Sequence, residues 1–406
     1  MDRRTILKGT AGALGMLGLR EALGAVGSMA ELGFTELPDG TLEEQVLHAL
    51  AGKAPLIKKT FRPPNYETPV EYFRTPYTPN RAFFVRWHLA GIPQINLKEW
   101  SLSVGGESAE RELKLTMDDL RKEFKPAQVS AVCLCSGNRR GLFEPHVTGV
   151  EWGVGAMGNA AWRGVRLKDV LQKAGVKSDA LEVVFDGADH PALDKTPDFV
   201  KSIPVEVALD ENTLIAFEMN GLALPHWNGF PARVVVPGWT GTYWVKGLTS
   251  IKVVAKPEKN FWMSAAYRLP RGRFKTPSFK SQVTEANEPI TTMVVNSLIT
   301  SLKSGQRVPR GRPLEIRGIA WDGGAGIAKV EVSTDGTSWA PARLGKDLGR
   351  FSFREFALSM PTRESGGYVV MARATSASGE TQVNELIHNP AGYHHNVIQR
   401  LYVEVA

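Results

Sequence analysis

The feature that most constrains the fold is a change of pattern near Glu285. Before it, helical and strand-like periodicities alternate. After it, helical periodicity vanishes and short apolar segments recur at Leu314–Ile319, Lys329–Ser333, Phe351–Phe356, Tyr368–Ala374 and Asn396–Val405. Asp335-Gly336 and Ser378-Gly379 mark turns between them. Strands at this spacing over about 120 residues predict an all-β sandwich across 285–406. At 406 residues the chain exceeds one ordinary core, so a separate N-terminal domain is expected.

The N-terminal part reads as α+β. Thr41-Leu-Glu-Glu44 has the form of a capping box opening a short helix to about Leu50. Residues 51–80, rich in Pro, Thr and Asn, read as an irregular segment within an N-terminal arm spanning 31–80. Strand signals follow at Phe83–His88, Trp100–Val104, Val129–Cys135, Leu181–Phe185, Leu214–Met219 and Ala232–Val236. Helices are expected at Thr116–Glu123, at Leu167–Lys173 (ended by Gly175) and, briefly, at Val205–Leu209. Trp262-Met263-Ser264 shows no strong pattern. These elements place a mixed domain over 81–284.

Residues 1–30 read as an export signal. Arg3-Arg4-Thr5-Ile6-Leu7-Lys8 is a twin-arginine run, a Gly/Ala/Leu-rich stretch follows, and Ser28-Met29-Ala30 resembles a cleavage site. Arg20 and Glu21 interrupt the apolar stretch, which makes it a poor stable membrane anchor. The expected location is the periplasm, reached already folded. The formal charge is +7, and removing the signal leaves +5, scattered without a basic run. That distribution argues against nucleic acid as a partner and is compatible with a small anionic substrate.

Only two cysteines occur, Cys133 and Cys135. They are too close for a relaxed disulfide, too few for a structural zinc site, and not the Cys-x-x-Cys-His of haem attachment. Cys135-Ser-Gly-Asn-Arg-Arg140 places one soft ligand in a turn with two guanidiniums. A thiolate binds soft or high-valent metals, and Arg holds oxyanions. Read alone, the hexapeptide is equally a buried thiol beside a solvated basic pair. Arg86 and His88 share one strand face, Arg233 opens a buried strand, and Lys246 follows the loop Trp239–Tyr243. His388, His394 and His395 cluster near the C-terminus without regular ligand spacing, and no Gly-x-Ser-x-Gly elbow is present.

Together, Phe84-Val-Arg-Trp-His88, Cys135-Ser-Gly-Asn-Arg-Arg140, Phe185-Asp-Gly-Ala-Asp189, Glu218-Met-Asn-Gly221, Asn228-Gly-Phe-Pro-Ala-Arg233-Val-Val-Val-Pro-Gly238 and Trp244-Val-Lys246 resemble the sulfite oxidase family, most closely its bacterial sulfite dehydrogenases. The resemblance implies a sulfite-oxidase-type molybdopterin domain followed by an immunoglobulin-like dimerisation domain. It implies a molybdenum–molybdopterin cofactor with Cys135 as the single protein ligand to the metal. Phe84, Val85, Arg86, Trp87, His88, Asp189, Asn228, Arg233, Trp244, Val245 and Lys246 match segments holding the pterin and its phosphate. Arg86, Arg140 and Tyr267 match residues around the substrate oxyanion. Two positions depart from the animal enzymes: Asn228 stands where a His is expected, and Trp87 where a small polar residue is usual.

The function so implied is oxidation of sulfite to sulfate, with electrons leaving singly to an external c-type cytochrome, since this chain shows no haem signature. A homodimer is expected. The alternatives are a nitrate or sulfoxide reductase of the same fold, or a non-catalytic anion-binding module in which Cys135 is dispensable.

Overall fold

The computed structural model describes residues 47–271 and 287–406. The export signal and the Thr41–Glu44 capping box lie outside them. The N-terminal half holds three sheets. The first, antiparallel throughout, runs Leu47–His48, Leu56–Thr60, Asn65–Glu67, Val85–Arg86. The second runs Lys201–Pro204, Glu182–Gly187, Leu248–Val254, Leu102–Gly105, Leu113–Leu115, with only the Leu248–Val254/Leu102–Gly105 pair parallel. The third pairs Pro126–Leu134 with Met157–Arg166, then Leu214–Met219, which also pairs with Leu222–Ala223 and Arg233–Val235.

Local chemistry sets the two longer helices. Thr116 caps Met117–Glu123 through a capping box with Asp119, whose amide donates to the Thr116 hydroxyl. Gly175, at φ 76°, takes the left-handed turn that ends Leu167–Ala174. The apolar face of that helix, Leu167, Val170, Leu171 and Ala174, is buried in the main core.

Two sequence expectations change. The expected helix reaching Leu50 gives way to Leu47–His48, paired with Leu56–Ile57. The segment read as irregular supplies Leu56–Thr60 and Asn65–Glu67, which pair onward to Val85–Arg86. Here Leu56, Tyr66, Val85 and Trp87 form one buried cluster. Pro63 and Pro64 obscured the strands because they occupy the turn between them, which Asn65 Nδ2 braces by donating to Thr60 Oγ1 at 2.6 Å. The boundary expected at residue 80 therefore cuts through a sheet.

The C-terminal half is a sandwich. One sheet runs Asn296–Ile299, Leu314–Trp321, Arg354–Met360, Arg343–Leu344; the other runs Gln306–Val308, Arg400–Val405, Gly366–Ser376, Ile327–Ser333, Ala340–Pro341. Their inner faces meet through Ile316, Val330, Phe356, Val370 and Val403. A separate apolar cluster welds the halves: Phe73, Val132, Leu134 and Met157 pack on Met293, Leu298, Ile319, Trp321 and Phe353. Burial of this kind, at about 25 cal/mol per Å² of apolar surface, fixes the sandwich against the strand that leads to Cys135.

Candidate active site

Pro126–Leu134 is half-exposed at its start and fully buried over its last four residues. It delivers Cys135 into the interior, 8% exposed. The Cys135 amide donates to the Ala156 carbonyl at 2.9 Å, and the Asn138 amide donates to the Cys135 carbonyl at 2.9 Å. Asn138 closes the turn by accepting the Ala156 amide on Oδ1 at 3.0 Å. The polar turn residues thus hold the thiol at the end of a buried strand.

The two arginines of the turn diverge because Arg139 is left-handed, φ 69°. Arg139 is buried and donates to the carbonyls of Ser297 at 2.6 Å and Val397 at 3.2 Å, both in the sandwich. Burial lowers its pKa to about 10, which leaves it charged at neutral pH. Arg140 donates through Nε to the Ala391 carbonyl at 3.1 Å and through Nη1 to that of Val150 at 3.3 Å. Its guanidinium carbon sits 5.1 Å from the centre of the Tyr393 ring.

Arg86 and His88 converge on Tyr267. Arg86 Nη1 donates to Asn65 Oδ1 at 3.2 Å, and Nη2 lies 3.5 Å from the Tyr267 hydroxyl. His88 Nε2 meets the same hydroxyl at 2.5 Å, and its ring stacks on Phe199 at 3.6 Å. Burial, then the charge of Arg86, holds the His88 pKa well below the ordinary range, so the imidazole is neutral. Burial likewise raises the Tyr267 pKa and keeps the phenol protonated.

A cleft that opens to solvent lies beside these groups, lined by Phe84, Arg86, His88, Cys133, Cys135, Ser136, Asn228, Arg233, Thr242, Lys246 and Tyr267, among others. Gly158 and Gly241 let the neighbouring chain pack closely around it. A Cβ on Gly158 would lie 2.4 Å from the Phe83 ring, and one on Gly241 3.2 Å from Cys133 Sγ. Arg233 is sandwiched between Trp162 and Trp244, 5.0 and 5.6 Å from their ring centres, and donates to the Asn228 and Trp244 carbonyls. Lys246 Nζ lies 4.5 Å from the Trp87 ring centre. Burial lowers its pKa and raises that of Asp189, whose opposite charge acts on it.

Of the other residues expected at the site, Val85, Trp87, Trp244 and Val245 are buried supports that do not line the cavity. Asn228 lines it, yet both ends of its amide are engaged: Oδ1 accepts from Lys53 Nζ at 2.5 Å and Nδ2 donates to the Phe84 carbonyl at 3.0 Å. Arg140 reaches the cluster from behind Tyr393 and is not among the lining residues. His388 Nε2 approaches the Pro145 carbonyl at 3.2 Å, and His388 and His395 edge against Phe143. Among the described residues no three His, Cys, Asp or Glu form a metal-binding group.

Four contributors escaped the sequence reading. Lys53 donates to the carbonyls of Asn80 and Phe83 as well as to Asn228. Asn65 orients Arg86, and Lys53 and Asn65 both sit in the segment that looked irregular. Lys201, 1% exposed, donates to the Trp262 carbonyl at 2.7 Å and lies 5.4 Å from the Tyr267 ring centre. A lone cation in Phe199-Val-Lys-Ser-Ile was a visible signal for it. Tyr393 comes from the far end of the chain and carried none.

Comparison with known proteins matches this arrangement. The oxidoreductase molybdopterin binding domain matches residues 88–262, and the Mo-co oxidoreductase dimerisation domain matches residues 287–406. The chain is 32% identical to the sulfite oxidase of Gallus gallus over 79% of its own length and 71% of that protein's. It belongs to the sulfite oxidase family.

The mitochondrial sulfite oxidase of Drosophila melanogaster is 33% identical over 91% of this chain and 66% of its own length. The sulfane dehydrogenase SoxCD from Paracoccus pantotrophus shares the fold, with a TM-score of 0.73 at 25% identity and 97% of each chain covered. The NADH nitrate reductase of Spinacia oleracea is 30% identical over 81% of this chain and 38% of its own length. The chain spans between about half and two thirds of the length of the first curated relatives.

The cavity suits the molybdenum–molybdopterin cofactor of this family. Ser136 Oγ, Thr242 Oγ1 and His88 Nδ1 are buried at its wall with no hydrogen-bond partner among the described residues. Such groups call for a polar guest. Arg233 and Lys246 could supply cations for a phosphate, and the Cys135 thiol would be the soft donor for the metal.

Proposed function

We propose that this chain oxidises sulfite to sulfate in the periplasm, after twin-arginine export, and hands its electrons singly to an external c-type cytochrome. The observation that carries the reading is the convergence of Arg86 Nη2 and His88 Nε2 on the Tyr267 hydroxyl, at 3.5 and 2.5 Å, in the cavity that Cys135 lines. When bound, the cofactor supplies oxo transfer and accepts the two electrons of the reaction.

The protein's share is positioning and electrostatics. Arg86 offsets the charge of the incoming anion, and the Lys201 amine, whose pKa burial lowers to about 7, lies behind the Tyr267 ring. With the His88 proton on Nε2, the imidazole donates to the Tyr267 oxygen, and the phenol proton is free to meet the substrate. Phe199 and Trp262, packed on His88, keep bulk water from that side. A second reading, reduction of nitrate, is supported by the identity to the spinach enzyme.

The test is sulfite-dependent reduction of cytochrome c by protein made in a host that supplies molybdopterin. Periplasmic activity that needs sulfite and is abolished in Cys135→Ser is expected. A molybdenum-replete protein that ignores sulfite but consumes nitrate would overturn the first reading in favour of the second.

A further inference from the structure

We infer that Tyr393, carried by the C-terminal sandwich half, is a positioning residue of the oxyanion site: its ring backs Tyr267, which lines the cavity, and ties it to the Arg140 guanidinium behind. This rests on the sulfite reading only for the identity of the anion.

Tyr393 lies outside every motif that marks the site, yet its ring stacks on that of Tyr267, with centroids 5.6 Å apart and planes at 26°. Its other contact is with the Arg140 guanidinium, 5.1 Å from the ring centre. A cation over an aromatic face within about 6 Å is attracted by the ring quadrupole, more strongly when water is excluded. Tyr393 is 7% exposed and packs with Tyr267, Leu269, Ile290 and Ala391.

The loop carrying the ring is held at both ends of one residue. The Tyr393 amide donates to Asn389 Oδ1 at 3.0 Å, and Asn389 Nδ2 donates back to the Tyr393 carbonyl at 2.9 Å. Between them, the Ala391 carbonyl accepts from Arg140 Nε, and Gly392, at φ +63°, lets the backbone press on the arginine stem. A Cβ at Gly392 would lie 2.6 Å from Arg140 Cγ. The loop therefore clamps Arg140 by a carbonyl and a ring, with the Val150 carbonyl as the third restraint. Burial raises the Tyr393 pKa, so the phenol brings no competing negative charge.

Removing the ring returns rotamer freedom to Arg140 and takes the backing from Tyr267, while the phenol itself is dispensable. The experiment compares Tyr393→Phe and Tyr393→Leu with the parent, all loaded with molybdenum and matched for metal content. It reads KM and kcat for sulfite, and sulfate affinity by calorimetric titration. Tyr393→Phe is expected to stay within about twofold of the parent, and Tyr393→Leu to show KM and sulfate affinity about tenfold worse, the scale of a desolvated cation–π contact.

If Tyr393→Leu does not load, Tyr393→Met, which also lacks the ring, takes its place. Parent-like sulfate affinity in the ringless variant overturns the inference. A Phe variant as impaired as the ringless one also overturns it, since the phenol would then act on the anion directly. Because sulfate binding is read apart from turnover, a protein that binds sulfate but fails to oxidise sulfite sinks the proposed reaction while the Tyr393 comparison still stands.

Discussion

Lys201 is the residue whose ionisation the fold disturbs in the most telling way. Burial, aided by the like charge of Arg268, lowers its pKa to about 7. The unfolded chain keeps that amine protonated to about pH 10.4. Between these values the unfolded state binds more protons, so this group's contribution makes the protein more stable as pH rises from 7 towards 10. Lys201→Met is expected to melt about 2–5 °C higher than the parent at pH 6 and to lose that part of the alkaline rise, which scanning calorimetry at pH 6 and 9 will show. If the mutation also weakens sulfate binding, the amine is retained for the anion in spite of its destabilising effect. At this scale the sequence was informative wherever a side chain sat in a recognisable motif, as Cys135, Arg86 and Arg233 did. It was silent on Tyr393, because a ring contact between Tyr267 and a residue near the C-terminus leaves no local pattern.

The elements were legible where periodicity and capping agreed. Thr116 announces its helix by a capping box, Gly175 announces an end, and Leu214–Met219 forms the strand expected of an apolar run. The Leu56–Thr60 and Asn65–Glu67 strands were not legible, because they are short and their turn chemistry dominates the composition. Phe261–Ser264 was missed for a similar reason: a single helical turn, capped by Asn260 accepting the Trp262 and Met263 amides, is too brief to show a period. The early strands matter to the site because they deliver Lys53, which donates to three acceptors and fixes Asn228. Lys53→Met leaves those acceptors without a donor, at about 1–3 kcal/mol for each one that stays buried and unpaired. Its expected effect is several-fold faster molybdenum loss on dialysis, with turnover per bound molybdenum within about twofold of the parent. Metal analysis over time, alongside the cytochrome assay, separates the two quantities.

At the scale of the molecule, the change of pattern near Glu285 correctly announced a second, all-β half. It gave no hint that this half would close the site. The match of residues 287–406 to a dimerisation domain supports a homodimer, and sedimentation equilibrium is expected to return two chains per particle at micromolar concentration. A particle of one chain would limit this half to its intramolecular role. That role has a consequence for biogenesis. The carbonyl that restrains Arg140 lies 251 residues further along the chain, and the Val397 acceptor for Arg139 lies 258 residues on. The turn behind Cys135 can therefore settle only after about 250 further residues have left the ribosome. A chain that stops short of Ala391 presents the thiol turn without the carbonyl that restrains Arg140, so the second half must be in place before that turn takes its final shape.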